Sequence, residues 1–96
     1  MSAAAVVLSS TDNVATLLAS AKAGDEVVVT SGGSEMRVTA REPIALGHKI
    51  ALADLAPGER VVKYGECIGQ ATAPIARGAW VHIHNLVSMR AQQATS

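Results

Sequence analysis

Three imidazoles carry most of the chemistry this sequence can offer, and they fall in two tight groups: Gly47-His48-Lys49 and, further along, Val81-His82-Ile83-His84-Asn85. Residues two apart on a strand project from one face, so a strand through the second group presents His82 and His84 together and turns Ile83 toward the core. Imidazole binds first-row transition metals and exchanges protons near neutral pH. Two of them side by side with a third nearby suit metal ligation or acid/base catalysis. Taken singly, each histidine reads as a surface or packed residue on an edge strand. Taken as a set, with Lys49 and Asn85 adjacent, they read as a site.

The elements that must position these residues are short and interrupted by turns. Ala4 to Leu8 is apolar and β-compatible, and Ser9-Ser10-Thr11-Asp12 breaks it. Asp12 has the type of a helix N-cap, and Val14, Leu17, Leu18 and Ala21 recur at helical spacing before Gly24, which predicts a short helix over 13–21. The β-branched run Val27-Val28-Val29-Thr30, the turn Ser31-Gly32-Gly33-Ser34 and the stretch Glu35 to Thr39 predict a hairpin. Further strands are expected over 48–52, 59–63, 67–71 and 79–84, with Pro57-Gly58 and Tyr64-Gly65 as turns. Gly69 inside a strand signals a bulge or a close backbone approach. Glycine precedes a β-rich segment at Gly24, Gly58 and Gly78, which reads as reused turn chemistry because the period is too irregular for a solenoid. The sum is a mostly β domain with one short helix.

Composition excludes several classes of function. A chain of 96 residues supports one domain with one modest core. Its only aromatics are Trp80 and Tyr64, so that core is built from Val, Ile, Leu and Ala. Eight basic and eight acidic residues cancel and are scattered, leaving no phosphate-neutralising patch, and no nucleic-acid partner is expected. No apolar run approaches the length of a spanning helix and the start lacks a basic leader, so no membrane role is expected either. Cys67 is the single cysteine, which excludes an internal disulfide and points to a cytoplasmic home. Glu66 beside it disfavours a thiolate, so Cys67 reads as a small packed hydrophobe.

The string Gly47-His48-Lys49-Ile50-Ala51-Leu52, then Gly58, Val62-Lys63-Tyr64-Gly65, Ile68-Gly69, Ala71, Gly78 and Val81-His82-Ile83-His84-Asn85 resembles the small antifreeze-like (SAF) domain of the altronate and galactarate dehydratase family. Asp12-Asn13-Val14-Ala15 and Gly24 resemble that family's beginning. The resemblance runs from about Val6 to Asn85, with 91–96 left as a loose polar tail of a single domain over 1–96. It implies a β-clip fold, in which short strands form a long hairpin folded over on itself. It also implies a lyase subunit acting in sugar-acid metabolism, either as the first domain of a long enzyme or as a small subunit beside a large dehydratase subunit, as in the related sulfolactate sulfo-lyase. The chain stops soon after Asn85, and this favours the small subunit.

The family reaction is a β-elimination of water from a sugar acid. It needs a base for the proton next to the carboxylate, stabilisation of the enediolate and an acid for the leaving hydroxyl. On this resemblance His48 and His84 are the catalytic candidates, and His48, His82 and His84 the ligands of a divalent metal, iron or manganese first. Lys49 and Lys63 are candidates for the substrate carboxylate, and Tyr64 and Asn85 for its hydroxyls. Asp54 and Glu66 have no spacing that completes a metal site, so further ligands are expected from the large subunit. The isolated chain is then expected to be inactive. A different class of function stays open: a structural or cap module, like the related domains that close over a neighbour's active site in sialic acid synthases. A free-standing enzyme using Cys67 or a Ser/His pair is disfavoured, since no Gly-x-Ser-x-Gly elbow or comparable nucleophile setting is present. Self-association is left open, as are the particular hydroxy acid and the metal.

Overall fold

The computed structural model describes residues 2–88, and the expected loose tail at 91–96 lies outside them. Among the described residues nine strands are present: β1 Ser2–Val6, β2 Val14–Leu17, β3 Glu26–Ser31, β4 Ser34–Thr39, β5 Lys49–Ala51, β6 Arg60–Lys63, β7 Glu66–Ala71, β8 Trp80–Val81 and β9 Leu86–Ser88. They form a six-stranded sheet in the order β4-β3-β1-β2-β5-β8 and a three-stranded sheet in the order β6-β7-β9. The mostly β expectation holds. The helix does not: the described residues contain none, and Val14–Leu17 is a strand paired with both β1 and β5.

The reason lies in Asp12. Its carboxylate accepts the amides of Leu8 (3.2 Å), Ser9 (3.3 Å) and, across the chain, Gly65 (2.7 Å), so it closes the preceding loop and does not start a helix. Asn13 completes the diversion by acting as a surrogate strand residue toward β6. Its Oδ1 accepts Val62 N–H at 2.8 Å and its Nδ2 donates to Arg60 O at 2.8 Å. Of the helically spaced residues, Leu18 is 58% exposed while Val14, Leu17 and Ala21 are buried, and Ala15 between them is buried as well. That is the burial of a strand covered on both faces.

Two aliphatic clusters result. The first gathers Ala3, Ala5, Val27, Val29, Val38, Ala15, Leu17 and Ile50, with Trp80 packed against it; the second gathers Val14, Ala51, Leu55, Val61, Ile75 and Val81. Neither has an aromatic residue among its buried members, as composition required. Strands β2, β5 and β8 run between the clusters. Ala15 pairs with Ile50 and Ile50 with Trp80 on one side, and Val14 pairs with Ala51 on the other.

The glycine turns prove to be four, since Gly47 joins Gly24, Gly58 and Gly78. All four have φ between 84 and 89°, and each turn is closed by an i to i+3 backbone hydrogen bond, as in Asp25 N–H to Lys22 O and His48 N–H to Ala45 O. The geometry is that of a type II turn. Each also grips a buried residue far away in the chain. Gly24 N–H donates to Ala40 O and Ala40 N–H to Asp25 O; the same exchange joins Gly47 and His48 to Leu17, Gly58 and Glu59 to Ala71, and Gly78 and Ala79 to Ala51. Ala21 further pairs with Ile44, and Leu55 with Ile75, as two isolated bridges.

Gly78 carries a second constraint. A Cβ there would collide with Thr39 O, and Arg41 N–H donates to Gly78 O at 2.9 Å, so the end of β4 and the turn before β8 meet backbone to backbone. At Gly58 nothing lies within 4 Å of that position. Gly58→Ala is therefore expected to lose about 1 kcal/mol from the left-handed conformation alone. Gly78→Ala adds a steric displacement and is expected to lose about 3 kcal/mol or more. Urea unfolding of the two variants measures the difference, and equal losses would contradict the close approach.

Candidate functional site

Strand β8 ends at Val81, earlier than the sequence reading placed it. Residues 82–85 form a turn, and Ile83, expected to face the core, is 83% exposed. Asn85 makes that turn. Its Oδ1 accepts His82 N–H at 2.9 Å, its Nδ2 donates to Trp80 O at 2.9 Å, and its backbone amide donates to His82 O. The side chain is buried and each of its polar atoms has a backbone partner, so Asn85 holds the histidine loop.

The three imidazoles do come together, although by a different route from the one expected. Lys49 pairs with Val81 and Ile50 with Trp80 across β5 and β8, which continues the register to bring His48 beside His82. Their ring centroids are 4.9 Å apart. Trp80 joins the set: its indole stacks on His82 at 5.2 Å and 13°, lies 4.8 Å from His84, and donates Nε1–H to His48 Nδ1 at 3.1 Å. Trp80 is the functional residue that sequence reasoning missed. The signal was its two-residue offset from His82, which puts both on one face of the extended chain.

That indole bond sets the tautomer of His48. With the Nδ1 lone pair occupied, neutral His48 carries its proton on Nε2 and keeps an N–H donor there. A ring in that state has no free lone pair for a cation. Among the described residues no three His, Cys, Asp or Glu side chains are grouped to hold a metal ion. The residues present therefore do not fit a metal centre ligated by His48, His82 and His84 within this chain.

Lys49, Lys63 and Tyr64 form an adjoining polar rim. Thr16 pairs with Lys49 across β2 and β5, and Tyr64 Oη donates to Thr16 Oγ1 at 3.2 Å. Lys63 Nζ lies 5.0 Å from the Tyr64 ring centre. Tyr64 sits at φ 54°, in the turn of the β6–β7 hairpin that Asp12 fastens through Gly65. Half-buried Lys49 has its pKa pushed down, first by desolvation and then by the Lys63 charge. His82 is pushed down as well, first by desolvation and then by His48, Lys49 and His84. Cys67 lies apart, half-buried, with Sγ directed at Gly69 O.

The family model of the altronate/galactarate dehydratase SAF domain matches residues 3–89. The chain belongs to that family. Among its relatives, the altronate dehydratase of Escherichia coli (strain K12) is 50% identical over 74 residues, covering 77% of this chain and 14% of that enzyme. The (2R)-sulfolactate sulfo-lyase subunit alpha of Paracoccus pantotrophus is 44% identical over 63 residues, 66% of this chain and 94% of that subunit. The galactarate dehydratase (L-threo-forming) of E. coli is 45% identical over 40 residues, 42% of this chain and 8% of that enzyme. The chain thus spans a small part of the dehydratases and nearly the length of the sulfo-lyase subunit.

Two outcomes follow from the geometry. Trp80→Phe keeps the ring but removes the donor, so nitrogen-15 NMR is expected to show His48 shifting from a pure Nε2–H tautomer to a mixture, with a stability loss of about 1 kcal/mol. The folded-state pKa of His82 lies below its ordinary value of 6.5, so the unfolded chain takes up the proton first as pH falls. Stability is expected to decline as pH drops through 6.5 and to level off below the folded-state pKa, with no contribution from His82 at pH 8. Comparing urea midpoints of the wild type and His82→Gln across that range measures it, because the variant loses this part of the slope.

Proposed function

We propose that this chain is the small SAF-domain component of a two-part sugar-acid hydro-lyase, contributing histidine and lysine groups to a site completed by a large dehydratase subunit. One observation carries the reading: three imidazoles from two segments gather around a single indole, with Lys49 beside them and the exposed His84 free of hydrogen bonds among the described residues. The name of the Paracoccus relative, a subunit alpha, supports a multisubunit setting.

In this reading His84 takes the proton next to the substrate carboxylate. His48, whose tautomer Trp80 fixes as Nε2–H, donates a hydrogen bond to the developing enediolate and keeps its own proton. A neutral imidazole held as a donor suits that task. Lys49 binds the carboxylate as a cation, and Lys63 and Tyr64 extend the rim toward the substrate's hydroxyls. Protonated His84 then returns its proton to the departing hydroxyl, which leaves as water, so the cycle consumes no net proton. Any divalent metal, iron or manganese, takes its ligands from the large subunit. The single cysteine and the absence of a helix apolar and long enough to cross a membrane among the described residues are compatible with a cytoplasmic enzyme.

A second reading, a cap that closes over the large subunit's own site, is favoured by Ile83, which stands exposed between His82 and His84. Steady-state kinetics of the assembled enzyme on altronate, galactarate and sulfolactate separates the two. His84→Ala and His48→Ala are expected to lower kcat by about 100-fold or more with KM little changed. Raised KM or weakened assembly at full kcat would identify the cap. The 96-residue chain on its own is expected to show no turnover.

A further inference from the structure

The R-V-T-A-R stretch at 37–41 alternates strictly. Val38 and Ala40 are 3% and 1% exposed, so extended backbone turns Arg37, Thr39 and Arg41 to the opposite, outer side. Arg77 arrives from the other end of the same sheet, on the turn before β8, where Arg41 N–H meets Gly78 O at 2.9 Å. Its Nη2 donates to Arg37 O at 3.1 Å, which holds the guanidinium across the gap. Together the three arginines line a cavity of about 480 Å³ floored by residues 38–40. That volume is in the range of sites for small molecules.

The lining of this cavity holds three arginines and no carboxylate. Glu26 meets Arg37 only at 3.9 Å, with 49% and 64% of the two side chains exposed. Three carboxylates near these elements accept backbone amides: Asp54 accepts Arg77 N–H at 2.8 Å, Glu42 accepts Trp80 N–H at 3.0 Å, and Asp25 accepts Lys22 N–H at 2.9 Å. Among the described residues the Arg41 guanidinium has no hydrogen bond or ion pair. In a chain whose formal charge is zero, three guanidinium groups thus gather around one concavity. Guanidinium forks match the paired oxygens of carboxylate and phosphate, and arginine stays charged at every working pH.

We infer that Arg37, Arg41 and Arg77 form a binding site for a small oxyanion, a phosphate or carboxylate group, separate from the histidine cluster. The concave shape favours a small anion over an acidic protein surface, which would need a broad, open patch. The inference does not depend on the dehydratase reading, since none of the three arginines belongs to that site.

Titration of the 96-residue chain with inorganic phosphate and, separately, malonate at low salt, followed by backbone amide NMR, tests it. Low salt matters because exposed charges are screened. Saturable shifts confined to residues 37–41 and 76–78 are expected, and the tighter of the two anions identifies the tetrahedral or the planar class. Arg41→Ala and Arg77→Ala are each expected to weaken binding about tenfold, the size of one charge-assisted hydrogen bond. Arg41→Ala removes a side chain that makes no bond within the fold, so it keeps the test valid if Arg77→Ala disturbs the turn. Unsaturable shifts, equal binding by the double variant, or shifts centred on residues 80–84 would overturn the inference. So would binding of a polyglutamate peptide with neither small anion bound.

Discussion

The exchange of hydrogen bonds between the Gly78-Ala79 turn and Ala51 fixes where Trp80 enters the sheet, and the geometry of the histidine cluster depends on that entry. Gly78 N–H donates to Ala51 O and Ala51 N–H donates to Ala79 O, so the first residues of β8 are set in register before any side chain contributes. The same two-bond grip recurs at Gly24, Gly47 and Gly58 on Ala40, Leu17 and Ala71. A fold of strands this short has little pairing along each ladder. The turns supply long-range backbone bonds that helices and long strands would otherwise provide, and they saturate buried amides and carbonyls that an aliphatic interior could not satisfy.

Around Trp80 the three imidazoles are made unequal by their surroundings. His48 gives its Nδ1 lone pair to the indole and is left as a donor. His82 is stacked on the ring face and disfavours its charged form. His84 stands exposed with its ring against the same indole. One aromatic side chain thus gives three chemically identical groups three different surroundings. Asn85 contributes from underneath by holding the loop on which His82 and His84 are carried.

Much of this was legible in the residues. The Gly32-Gly33 hairpin, the Pro57-Gly58 turn and the β-branched strands were read correctly because turn chemistry is local. Gly69 was flagged for a close approach, and a Cβ there would indeed collide with Val87 O. The expected helix failed because a nine-residue apolar pattern fits both periods, and the long-range bonds of Asp12 and Asn13 decided between them. The final strand was drawn too long because nothing local shows that Asn85 folds its amide back onto Trp80 and His82. Trp80 escaped notice for a related reason: its partner His48 lies 32 residues away, and cross-strand register is not written in either segment alone. The alternation of Arg37 and Arg41 was visible in principle, whereas the arrival of Arg77 was not.

The partition of the two clusters by β2, β5 and β8 has a consequence for fidelity of folding. Ile50 and Ala51 are neighbours in sequence yet belong to different interiors. Sliding β5 by one position would send isoleucine into the space shaped for alanine and drive the Lys49 ammonium into the apolar place that Ile50 had filled. The error is penalised from both sides at once. An ordinary sheet edge, wet on one face, tolerates such slippage more readily; here each misaligned pairing is rejected twice, and the alignment that survives is the one that delivers His48 to Trp80.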